Sequence, residues 1–105
     1  MKIVISTCYG GFGLSKRAFF RLRELGHPMA IKEPILRSTY LSNIDRSDAM
    51  LLQVINEMGG EEGASPLAKL RIVEIPEKAT DFRIMEYDGL EYVLAVVEGK
   101  IIEID

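Results

Sequence analysis

The residues best placed to do chemistry in this chain are Tyr9-Gly10-Gly11-Phe12-Gly13-Leu14-Ser15. Three glycines within four positions permit backbone conformations and close approaches that a side chain forbids. The apolar run Ile3-Val4-Ile5 before them reads as a strand, and Ser15 reads as the N-cap of a helix beyond them. A bare loop leading to the positive end of a helix dipole suits a phosphate or a carboxylate. Lys16 and Arg17 stand where basic side chains oppose that dipole, at a cost of roughly a few tenths of a kcal/mol. A local rule broken beside a glycine loop points to function. The expected ligand-binding residues are therefore Tyr9, Gly10, Gly11, Phe12, Gly13, Ser15 and Lys16, with the two aromatics available to stack or hydrogen-bond. Arg37 and Arg46 are candidate second clamps on an anion, equally readable as plain surface arginines. The bland alternative for the loop is a tight strand-to-helix turn without a ligand.

Better-known phosphate cradles do not fit. A P-loop needs Gly, four residues, then Gly-Lys-Ser/Thr, and that spacing does not occur. The dinucleotide fingerprint needs a third glycine where Lys16 stands, although Glu33 falls where a ribose-binding acid would sit. Cys8 invites comparison with phosphatase loops of the form Cys, five residues, Arg, but Leu14 occupies the arginine position. Cysteine is commonly a buried structural residue, and Cys8 is read that way. His27 is the only histidine and is expected to be a solvated turn residue, so no zinc set can be assembled. The acidic residues near the C-terminal end show no catalytic pair. No catalytic residue, metal site or cofactor is expected, and binding without catalysis is the reading.

These residues need elements to hold them. Ala18, Leu22 and Leu25 follow helical spacing, with Phe19 widening the stripe, and Gly26 with Pro28 ends the helix. Met29-Ala30-Ile31 is read as a short strand, and Ile35 to Asp45 as loop. Ser47 is expected to cap a second helix, with Asp48 in its first turn and Leu51, Val54, Ile55 and Met58 repeating at i, i+3, i+4, i+7. Gly59-Gly60 stops it. The period then becomes strand-like over Lys69 to Ile75, Phe82 to Tyr87, Leu90 to Val97 and Lys100 to Ile104. Asp88-Gly89 and Glu98-Gly99 between these runs are hairpin turns. The expectation is a single α+β domain over residues 1–105: one mixed sheet with an N-terminal strand–Gly-loop–helix, a second helix and a C-terminal antiparallel meander, both helices covering one face.

Composition sets the class. With 105 residues, 48 % hydrophobic and 28 % charged, the chain fits one ordinary soluble domain. It has no membrane-length apolar run and no secretory signal pattern, so no membrane partner is expected. The lone cysteine excludes an internal disulfide and fits a reducing cytoplasm. A net charge of −3 argues against DNA or RNA as a partner. Residues 1–46 carry eight Lys/Arg against three Asp/Glu, whereas residues 47–105 carry five against thirteen. The glycine loop thus lies in the basic half, where an anion is favoured. A short, half-apolar chain with an open-ended meander also has edges and faces to cover, so a homo-oligomer (dimer or tetramer) is expected.

Cys8-Tyr9-Gly10-Gly11-Phe12-Gly13-Leu14-Ser15 resembles the opening of a large group of short bacteriophage proteins. The likeness continues through Arg46-Ser47-Asp48 leading into Leu52 and Val54. It resumes at Ala68-Lys69-Leu70-Arg71-Ile72-Val73-Glu74-Ile75-Pro76 and at the Glu86-Tyr87-Asp88-Gly89 turn. That group often has Asn and Pro where Ser47 and Ala49 stand, and Trp at the position of Tyr92. The resemblance extends to phage anti-defence (anti-CBASS) sponges that sequester cyclic dinucleotide signals of bacterial immunity. It implies an oligomeric, non-catalytic binder of a molecule such as cyclic GMP–AMP, acting in the host cytoplasm. Two alternatives stay open: a phage protein that binds and modulates a host protein through the acidic meander, and a small phosphoesterase using Cys8 or an unseen pair of acids.

Overall fold

Alternation along two strands sorts the core of this molecule into layers. In the computed structural model, which describes residues 1–32, 43–65 and 68–104, strand β1 (Lys2–Ser6) pairs antiparallel with β2 (Leu70–Glu74), Lys2 opposite Glu74. Successive side chains of a strand point to opposite faces. Val4, Leu70 and Ile72 accordingly join one apolar cluster, and Ile3, Ile5 and Val73 join a second. The first cluster is completed by helices α1 (Lys16–Glu24) and α3 (Ala49–Met58), through Ala18, Phe19, Leu22, Leu51, Val54 and Ile55. The second is completed by the meander of β3 (Ala79–Tyr87), β4 (Leu90–Val97) and β5 (Lys100–Ile104), through Phe82, Ile84, Val93 and Ile104. The β1–β2 ladder is a middle layer between helices and meander.

The α+β class and the helices covering one face hold. The single mixed sheet does not: there are two sheets, β1–β2 and β3–β4–β5, both antiparallel throughout. The second edge of β1 is taken by other groups: Val4 N–H donates to the Arg46 carbonyl and Ser6 N–H to Glu91, so the meander stacks on β1 instead of extending its ladder. Both hairpins form as read, with positive φ at Asp88, Gly89, Glu98 and Gly99. That is the backbone of a type I′ turn, whose twist matches the strands it joins.

Local readings need three corrections. Met29-Ala30-Ile31 lies in a short helix, α2 (Pro28–Lys32), because Pro28 stands at the first helical position, where its missing N–H costs nothing. The cap of α3 is Asp48, whose Oδ1 accepts from the N–H groups of Met50 and Leu51. Ser47 sits one residue too early and donates its hydroxyl to Asp45 instead. His27 is buried at 5 % exposure, not solvated. Met29 N–H donates to its Nδ1 (3.2 Å), so Nε2 carries the proton that faces Asp48 Oδ2 at 3.1 Å. The turn after α1 is thereby tied to the cap of α3. Arg21 makes a second tie to Glu57, which lowers the Glu57 carboxyl below its ordinary range and raises the guanidinium. Of the segment read as loop, residues 35–42 lie outside the described residues, and Asn43 to Asp45 belong to no helix or strand.

Candidate functional site

Ser6 ends β1 fully buried and organises the glycine loop after it. Its Oγ donates to the carbonyl of Gly11 (3.0 Å) and reaches that of Cys8 (3.3 Å), while Gly11 N–H closes a turn onto Cys8 (3.4 Å). Gly11 has φ +82°, a conformation that glycine adopts without strain. At Gly13 a Cβ would fall 2.5 Å from Ser65 Oγ, a hydroxyl that can rotate aside, and 3.1 Å from Ser65 Cβ, so the segment after α3 packs closely on the loop there. The Gly13 carbonyl accepts from Ser65 N–H, and Ser15 N–H donates to Gly63, which stitches the loop to the segment after α3. The tip of the β3–β4 hairpin closes the other side, where Gly89 packs on the backbone of Tyr9 and Gly11.

What stays open is the outer rim. Tyr9 is 62 % exposed, and Gly10, Lys16 and Arg17 are exposed as well. Ser15 caps α1 as expected, its Oγ accepting from Ala18 N–H at 3.1 Å. Among the described residues, the backbone N–H groups of Gly10, Phe12, Lys16 and Arg17 meet no acceptor. Arg17 pairs with Glu62 across 3.3 Å, whereas Lys16 has no ion pair among the described residues. Glu86 and Asp88 border the loop on the hairpin side, with Glu86 accepting from Gly89 N–H. An anion is therefore favoured on the α1 side of the rim and opposed on the hairpin side.

Only one of the two expected clamps falls among the described residues. Arg37 lies outside the described residues. Arg46 is turned inward: Nη1 and Nη2 grip Glu91 at 2.6 and 2.8 Å, Nη1 also donates to the Val4 carbonyl, and the guanidinium lies 3.6 Å from the centre of the Phe12 ring. Glu91 is buried and accepts Ser6 N–H as well (2.7 Å). With its charge matched and its plane stacked, Arg46 is a structural brace and not an anion clamp. Phe12 likewise spends one ring face on Arg46, which leaves Tyr9 as the exposed aromatic of the loop.

The brace was missed in the sequence, yet a signal existed. Glu91 shares strand parity with Val93 and Ala95, the buried residues of β4, so an inward acid needing a cation was readable there. Cys8 is half-buried with no base hydrogen-bonded to it among the described residues. No three His, Cys, Asp or Glu side chains among the described residues are grouped to hold a metal ion. No helix among them is long and apolar enough to cross a membrane. No protein-family model matches this chain, and no curated protein or solved structure shows significant similarity to it.

Proposed function

We propose that this chain binds and sequesters an anionic nucleotide, in the manner of a phage sponge for a cyclic dinucleotide, at the rim formed by Tyr9, Gly10 and the start of α1. The observation that carries this reading is that, among the described residues, the backbone N–H groups of Gly10, Phe12, Lys16 and Arg17 meet no acceptor and Lys16 has no ion pair, while Tyr9 is exposed in the same loop. Backbone N–H groups at a helix start with a nearby ammonium match a phosphate, and an exposed aromatic ring offers a stacking face for a base. The resemblance of the loop to short phage proteins supports the same ligand class. The runner-up, docking to a host protein through the meander, draws on an outer face of that sheet against which no helix or strand of the described residues packs.

Calorimetry against cyclic dinucleotides and ordinary mononucleotides tests the proposal. Lys16→Ala should weaken binding about ten- to a hundredfold, the worth of one charge-assisted hydrogen bond. The same variant should leave the melting temperature unchanged or slightly raised, since a cation is removed from the positive end of α1. Unaltered affinity would reduce the loop to a turn.

The ligand should also come back intact. Nucleotide incubated with the protein and recovered after heat denaturation should run unchanged on chromatography. Linear product would instead favour the phosphoesterase alternative, and Cys8→Ser would then test the nucleophile.

A further inference from the structure

The meander uses only one of its two faces. Phe82, Ile84, Val93 and Ile104 point at the β1–β2 layer, so by strand alternation Met85, Tyr87, Leu90, Tyr92, Leu94, Val96 and Ile101 share the opposite face with the charged Asp81, Arg83 and Glu103. No helix or strand of the described residues packs on that face. Tyr87 and Ile101 are 71 % and 72 % exposed, and Leu90, Tyr92, Leu94 and Val96 are half-buried. A mostly apolar depression crosses it, lined by Arg83, Met85, Leu94, Val96 and Ile101 among others.

Charge placement says what covers this face. The register sets Arg83 opposite Leu94, and Leu94 opposite Glu103, so one row reads cation, leucine, anion from β3 to β5. Consider a second copy related by a two-fold axis parallel to β4. Its β3 then lies over this β5, and its β5 over this β3. Each Arg83 meets a Glu103 of the other copy, twice, with the Leu94 pair at the centre. A two-fold axis across the strands through that same row would instead set Arg83 against Arg83 and Glu103 against Glu103, and one displaced by a residue would set Arg83 against Asp81 while leaving Glu103 without a cation. Stacked sheets favour near-aligned strands, which the first arrangement provides. A two-fold interface must be self-complementary, and this row is.

We infer that the outer face of the β3–β4–β5 meander is a self-association surface, on which a second copy packs with its strands aligned and Arg83 facing Glu103. This is independent of the ligand reading. The chain should sediment as a dimer at micromolar concentration. Leu94→Glu should give a monomer with an unchanged circular dichroism spectrum, because the substitution is made on an outer face. Arg83→Glu and Glu103→Arg should each weaken dimerisation about tenfold, since every pair is counted twice across the axis. The double variant Arg83→Glu/Glu103→Arg should restore the wild-type dimer. A wild-type monomer overturns the inference and returns the face to a host protein. A dimer indifferent to Leu94→Glu, or a double variant no better than the singles, overturns it too.

Discussion

Gly89→Ala should destabilise the protein by about 3 kcal/mol or more, against about 1 kcal/mol for Gly99→Ala. The two positions make a matched pair. Each is the second residue of a two-residue hairpin, with φ of +91° and +76°, so a side chain meets the same conformational penalty at both. They differ in what lies above them. A Cβ at Gly99 meets nothing within 4 Å, whereas one at Gly89 would overlap the Tyr9 carbonyl and crowd Gly11 N. Backbone cannot rotate away as a flexible side chain can, so the hairpin tip must lift off the loop. Urea unfolding of the two variants reads the difference. Equal losses would mean that the hairpin does not seat on the glycine loop. Lysine-dependent binding should suffer with Gly89→Ala as well, because the loop that presents the rim loses its backing.

Glu91→Ala should cost about 3 kcal/mol, at the lower end of the range for breaking a buried ion pair, because Arg46 keeps some contact with solvent. Three groups lose a partner at once: both Nη atoms of Arg46 and the N–H of Ser6. Glu91→Gln should fall between, since the amide oxygen can still accept from Ser6 while the charge is gone. Arg46→Ala leaves the opposite orphan, a buried carboxylate, and also strips the cation from the Phe12 ring. Removing both partners should cost well below the sum of the singles, with a coupling of about 2 kcal/mol in a double-mutant cycle. Additive losses would show that the two side chains act separately.

Sequence patterning carried the elements further than their assembly. Leu51, Val54, Ile55 and Met58 drew α3 plainly, and Asp88-Gly89 and Glu98-Gly99 drew both hairpins, because period and turn chemistry are local. Ile3-Val4-Ile5 predicted a strand but could not say that its two faces serve different layers, since an unbroken apolar run fits any doubly buried strand. Ser47 and Asp48 are both good caps in adjacent positions, and only the backbone decides between them. The glycine loop illustrates the same limit in the site. Its glycines suggested a ligand, while Gly13 packs on Ser65 and Gly89 packs on Tyr9, contacts 52 and 80 residues apart in the chain. Arg46 was noticed and Glu91 was not, so a brace was read as a clamp.

The order in which the chain can be assembled follows from its middle layer. The meander closes through two-residue turns and helix α3 closes on itself, so both need only neighbours. Strand β1 has no such neighbour: its ladder runs from Lys2 to Glu74, and its other edge is held by Arg46, whose carbonyl accepts Val4 N–H. At ordinary rates of synthesis, roughly 4–14 s separate the appearance of Ile3-Val4-Ile5 from that of the strand that pairs with them. During that interval Ile3-Val4-Ile5 lacks the ladder partner it has in the finished molecule, and a long loop must close before the two strands can pair.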